Sequence, residues 1–211
     1  MSRIVQLCVG VLVTVVAAAQ APVLRKGVSV QMPVTKNAVL MPNADSADSV
    51  ILIVAVTFRG IVYLEVTKVT PAQLSEQVKG EIGGHPGKRV YVKADERTPY
   101  SSVAEALSAL RKAGVNELSL LTTQHQPMKT SYVTPTGLEV LIPPPAPDAA
   151  QSVTLRIGSG QVSDAELKQH VQHARSVVLQ VDEQAAFGDV VHAVDVYRAA
   201  GTKVYLAASA K

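Results

Sequence analysis

The sequence predicts an α+β fold of two tandem small modules. Each is a mixed β-sheet covered on one face by two helices, behind an N-terminal apolar segment. Three observations predict it. One stretch is written twice, as VKADERTPYSSVAEALSALRKAGV and as LQVDEQAAFGDVVHAVDVYRAAGTKVYL. An offset of 87 relates Asp95 to Asp182, Tyr100 to Phe187 and Gly114 to Gly201. In both stretches a short apolar run precedes apolar residues spaced three and four apart, the mark of a strand followed by an amphipathic helix.

The totals agree with a folded protein. Of 211 residues, 47% are hydrophobic and 18% charged, which suits a globular chain rather than a disordered one. Aromatic residues make up only 4% and Trp is absent, so the cores must be built from Val, Leu, Ile and Ala. The net charge of +3 is weak, and the Lys and Arg residues are dispersed without interleaved aromatics. That excludes nucleic acid as the expected partner. Cys8 is the single cysteine, so there is no disulfide framework and no cysteine-based metal site.

The chain begins MSRIVQLCVGVLVTVVAAAQAPV. Arg3 precedes an apolar run from Ile4 to Ala19, broken only by Gln6, Gly10 and Thr14. Ala19-Gln20-Ala21 has the small-x-small form of a signal-peptidase site. The run is slightly shorter than the ~20 residues that span a bilayer. Residues 1–21 therefore read as a cleaved signal peptide or as an uncleaved membrane anchor, and both export the rest of the chain. The first acidic residue is Asp45, so the run holds no intramembrane proton carrier.

The first module is assigned to residues 27–130. Gly27 to Pro33 is its front segment, and the strands Val50–Thr57 and Ile61–Val66 that follow read as a hairpin. Thr70-Pro71-Ala72-Gln73 is a capping box with proline at the first helical position. Leu74, Val78 and Ile82 form the apolar stripe of the helix it starts. A strand at Arg89–Lys93 leads to Asp95. The second helix carries Val103, Leu107 and Leu110 and stops at Gly114, and a strand at Glu117–Leu121 closes the module. Residues 122–136 are polar and contain Pro127, which places the boundary near residue 130.

The second module, residues 131–211, repeats this in shortened form. Gly137 to Pro143 parallels Gly27 to Pro33. A strand at Ser152–Ile157 returns through Gly158-Ser159-Gly160-Gln161-Val162 to the box Ser163-Asp164-Ala165-Glu166. Leu167 and Val171 come next. The strand at Val177–Val181 leads to Asp182, the helix carries Val190, Val194 and Tyr197 and stops at Gly201, and Lys203–Ala207 closes the copy. Each glycine fits a helix C-cap, where positive φ costs nothing without a Cβ. The prolines from Pro143 to Pro147 are stiff and cannot stand inside a sheet.

Few residues suggest chemistry. Asp95 and Asp182 follow a strand and precede a helix, where a carboxylate normally caps loop or helix amides. Glu96 and Glu183 adjoin them, which is not a carboxylate pair set across a cleft. Tyr100 and Phe187 read as core or contact aromatics. His170 and His173 are three apart and could join His192 or Asp189 at a metal, while His85 and His125 stand alone, and all five read as solvated or lightly packed. Ser159 lacks a nucleophile elbow. Gly83-Gly84-His85-Pro86-Gly87 follows a helix instead of preceding one and is a turn, not a phosphate loop. No catalytic constellation and no cofactor motif is expected.

The stretch from Val90 to Val115 resembles the periplasmic domain of the ExbD/TolR family, small subunits of proton-driven complexes in the bacterial inner membrane. The resemblance covers Gly27 to Thr123 and rests on Asp95, Tyr100, Val103, Leu107, Leu110 and Gly114, with Pro33, Thr70 and Leu74. The second copy, Thr136 to Ala207, is similar through its internal match to the first. The resemblance implies a non-catalytic envelope subunit acting through protein contacts in transport or energy transduction. Its implied partners are an ExbB/TolQ-like membrane protein, a TonB/TolA-like protein, a second copy as homodimer, and peptidoglycan. In the family an aspartate in the N-terminal membrane helix handles protons. This chain has none there, so that role is not carried over. The alternative is a soluble periplasmic module binding peptidoglycan or a small ligand.

Overall fold

A computed structural model describes residues 28–41, 51–85, 87–124, 136–142, 152–158, 163, 165, 167, 169 and 176–208. The signal or anchor segment at 1–21, the linker about residue 130, the prolines from 143 onward, Ser159, His125, His170 and His173 lie outside the described residues.

Residues 57–69, after Val56, return along the sheet edge before the helix start at Thr70. Strand β3 (Ile51–Val56) pairs antiparallel with β4 (Val62–Leu64), and β4 with β5 (Thr67–Lys68). The short β5 lies beyond the expected hairpin. Helix α1 (Pro71–Gly84) starts at the anticipated box: Gln73 N donates to Thr70 Oγ1 at 3.3 Å, and Thr70 N to Gln73 Oε1 at 2.9 Å. The helix runs through Gly83 and Gly84, so the turn begins later than its glycines suggest. Strand β6 (Arg89–Ala94), helix α2 (Tyr100–Lys112) and β7 (Glu117–Gln124) complete the first half.

The second half contains β8 (Thr136–Leu141), β9 (Ser152–Ile157), β10 (Ser176–Val181), α3 (Phe187–Ala199) and β11 (Lys203–Leu206). Residues 165, 167 and 169 are helical, and Leu167 N donates to Ser163 O at 3.1 Å, as Leu74 N does to Thr70 O at 2.8 Å. In the front segment, pairing begins at β1 (Val34–Thr35) and β2 (Val39–Leu40), directly after Pro33, which has no N–H to give a ladder.

Two tandem modules with separate sheets, the fold class expected from the sequence, do not form. One eleven-stranded sheet passes through both halves in the order β5-β4-β3-β6-β7-β8-β11-β10-β9, with β1 on β7 and β2 on β8. The joint is β7 against β8, antiparallel from Glu117↔Leu141 to Thr122↔Thr136. The physical reason is the edge that separate sheets would leave. Leu118, Leu120 and Leu121 make β7 apolar on both faces, and an unpaired strand of that kind invites association. A half-chain also buries only a modest core by itself.

The helices share one face. Leu74 and Val78 of α1, Val103, Leu107 and Leu110 of α2, and Val190, Val194 and Tyr197 of α3 join strand residues of both halves in a single apolar core. Burying each such Leu or Val is worth about 1.5–3 kcal/mol. The opposite face holds a smaller cluster, Ile51, Ile53, Tyr91 and Leu121, covered by Met41 and Met32 of the front segment. This explains why β3 is a continuous run, ILIVAV, with all its residues buried.

Candidate functional site

The sequence motif singled out twice becomes one place in the molecule. After β6 and after β10 the chain turns in the same way. Asp95 N donates to Val56 O at 3.0 Å and Asp182 N to Ile157 O at 2.8 Å, while Thr98 N reaches Asp95 O at 3.0 Å and Ala185 N reaches Asp182 O at 3.1 Å. Helices α2 and α3 then start without a side-chain cap. A helix leaves its first amides without intrahelical partners. Here each helix finds them in the other loop. Tyr100 N donates to Ala185 O at 2.9 Å and Ser101 N to Glu183 O at 3.1 Å; in return Phe187 N donates to Thr98 O at 2.9 Å and Gly188 N to Glu96 O at 2.8 Å. Pro99 and Ala186 form an antiparallel bridge at the centre. Every bond is matched by another between residues displaced by 87, the pattern of a contact related by a two-fold axis.

The two aspartates serve their own loops. Asp95 is buried, and its carboxylate accepts from Arg97 Nε at 2.8 Å and Nη2 at 2.9 Å, from Arg97 N at 3.2 Å and from Gln31 N at 3.3 Å. The Arg97 guanidinium, outweighing the burial that pushes the other way, lowers the Asp95 pKa to about 2. Asp95 thus ties the front segment to the loop and does not cap α2. The guanidinium also lies 4.8 Å from the ring centre of Phe58, an exposed aromatic. Asp182 is more open and pairs with Arg156 Nε at 2.8 Å.

Tyr100 and Phe187 are fully buried at the helix starts. The Tyr100 hydroxyl donates to Ala207 O in the second half, and burial drives its pKa far up. Phe187 has no such reach. The glycines mark the far ends of the same helices: Gly114 has φ +95° and Gly201 φ +75°, with N–H bonds to Arg111 O and Arg198 O. Asp95, Tyr100, Asp182 and Phe187 therefore belong to one junction, and Gly114 and Gly201 do not reach it. Burial pushes the pKa of Tyr197 up to about 12, and its hydroxyl has no partner among the described residues.

Asp195 is a residue that the sequence pattern did not mark. It is 4% exposed on α3 and clamps the turn between β1 and β2, accepting from Lys36 N at 2.9 Å, Asn37 N at 3.0 Å and Asn37 Nδ2 at 3.2 Å. The available signal was an acid set within the apolar stretch VVHAVDVY, where an unsatisfied carboxylate is costly.

Among the described residues no group of three or more His, Cys, Asp and Glu side chains is placed to hold a metal, and no helix is long and apolar enough to cross a membrane. His170 and His173, read as solvated but close enough in sequence to join His192 or Asp189 at a metal, lie outside them. Residues 4–125 match the family model described as Biopolymer transport protein ExbD/TolR. None of the curated proteins matches the chain. Proteins of that family are structural and transport components of the cell envelope, not enzymes, and their periplasmic setting applies here. By that match the chain belongs to the ExbD/TolR family of biopolymer transport proteins.

Proposed function

We propose that the chain is a non-catalytic subunit of an envelope transport or energy-transduction system, acting through protein contacts. In this reading residues 27–130 are one ExbD/TolR-like module and residues 131–211 a second, shortened one. The observation that carries it is the reciprocal exchange of backbone bonds between loops 96–101 and 183–188. A contact of that form is what two copies of one unit make, so the second half takes the place of a second subunit. Tyr100 and Phe187 pack at the junction, Asp95 and Asp182 order the loops that form it, and Gly114 and Gly201 end the helices that meet there.

The family match begins at Ile4, within the apolar run, which supports an anchor there over a cleaved leader. ExbB/TolQ-like and TonB/TolA-like proteins are the typical partners of such a subunit. A direct proton-carrying role is not proposed, because no acid precedes Asp45. Gentle detergent extraction followed by affinity isolation tests the proposal: co-isolation of an ExbB/TolQ-like protein is expected, and its absence from repeated extractions would sink the idea. Intact-mass analysis of the same sample reads the anchor, which requires a terminus at Met1 or Ser2.

One observation favours the alternative of a binding module for a small ligand or peptidoglycan. A hollow of about 300 Å³ opens where β7, β8 and β11 meet, lined by Glu117, Glu139, Arg198 and Lys203. Its charges are mixed and Arg198 Nη2 already donates to Glu139 Oε2 at 3.1 Å, so it ranks second.

A further inference from the structure

Strands β3 and β9 hold the same place in the two halves. Ile51↔Arg89 through Val56↔Ala94 is repeated by Ser152↔Ser176 through Ile157↔Val181, both parallel and both six pairs long. The outer edges differ. That of β3 is closed by β4, running antiparallel, with Val54↔Leu64, Ala55↔Tyr63 and Val56↔Val62. β9 ends the sheet, with no further strand among the described residues. Chain length explains the difference. Residues 57–69 separate Val56 from the helix start at Thr70, whereas only residues 158–162 separate Ile157 from Ser163. So short a link cannot run back along β9 and return. The chain entering β9 carries Pro143, Pro144, Pro145 and Pro147, which cannot donate to a ladder.

The first half also shows which backbone groups face outward. Glu65 N donates to Ile53 O at 2.8 Å and Thr57 N to Ile61 O at 3.0 Å, so odd-numbered residues of β3 serve β4. The same register turns Thr154, Arg156 and Gly158 outward in β9, and Ile157 O is already taken by Asp182 N. Val62 and Leu64 show what fits the helix-covered side, since both are buried in the main core.

We infer that the outer edge of β9 docks an extended segment of a partner protein, running antiparallel. That segment places apolar side chains opposite positions 155 and 157 and an acidic one opposite Arg156, whose side chain is 68% exposed while its Nε holds Asp182 at 2.8 Å. An open edge of this sort is a template for strand addition. The inference rests on the reading of the chain as a contact subunit and identifies one of its surfaces.

The probe is a labelled peptide of this chain's own residues 61–68, IVYLEVTK, with Tyr63 replaced by Glu, added to the full chain in detergent. Amide hydrogen exchange is read residue by residue. Saturating peptide is expected to slow exchange at Thr154, Arg156 and Gly158 by about tenfold or more, with Leu155 and Ile157 slow throughout. Thr154→Pro removes one outward donor and should weaken binding by about tenfold, because proline is tolerated on an edge strand. A scrambled peptide controls for sequence-independent binding, and slow exchange at Leu155 and Ile157 in the variant shows that it still folds. Unchanged exchange at saturation, equal binding of the scrambled peptide, or protection that follows protein concentration without peptide would each overturn the inference, the last by naming a second copy as occupant. Loss of ExbB/TolQ-like co-isolation with peptide binding intact would instead remove only the proposed assembly.

Discussion

Residues 28–124 and residues 136–208 lay down equivalent strands and helices, then finish them with different side chains. In the first half a hairpin closes the sheet edge, a guanidinium locks the loop aspartate, and a tyrosine reaches across to the other half. In the second no strand among the described residues closes that edge, the aspartate pairs with an exposed arginine, and a phenylalanine stands where the tyrosine was. The clamp on the front segment is reversed. Asp195 of α3 holds the β1–β2 turn, while the equivalent position on α2 is Ser108, beside an open groove with Thr70 and Ser75. The backbone exchange at the junction needs no particular side chain, so it survives these changes.

Truncation at the junction should produce the largest effects. Tyr100→Ala and Phe187→Ala each remove a fully buried ring and are expected to cost about 3–5 kcal/mol in urea unfolding. Equal losses would support matching roles; a loss under half as large at one site would break the equivalence. Asp195→Ala leaves the Lys36 and Asn37 amides without their acceptor and should cost about 1–3 kcal/mol. Ser108→Ala should stay within about 0.5 kcal/mol, and similar values for the pair would remove the asymmetry of the clamp.

Asp95 gives a pH signature. Its folded pKa, about 2, lies below the ordinary value of 3.8, so its contribution is complete above that value and is lost as pH falls through 2. The thermal stability gap between the native chain and Asp95→Asn should therefore narrow between about pH 5 and pH 2. A constant gap would show that the Arg97 pairing does not hold the ionised form. Tyr100→Phe makes the first half copy the second at that position. It removes only the bond to the Ala207 carbonyl and should cost about 0.5–1.5 kcal/mol by the same unfolding measurement.

Local chemistry was written plainly in the sequence. The box at Thr70, the stripes Leu74–Val78 and Val103–Leu107–Leu110, and the stops at Gly114 and Gly201 all depend on neighbours within a turn or two. The offset of 87 marked the positions that meet at the junction, though not that they meet. Asp195 was hidden because its partners, Lys36 and Asn37, lie far away in the chain. The fusion of two expected sheets into one was equally hidden. Strand patterns report which face of a strand is apolar, but the hydrogen bonds along its edges belong to the backbone and leave no trace in side-chain order. The sequence alone therefore determined the local helix and strand signals and the recurrence of one motif at an offset of 87. Only the tertiary structure decided that β7 takes β8 as its neighbour, that the two helix starts cap each other, and that β9 stands last in the sheet among the described residues.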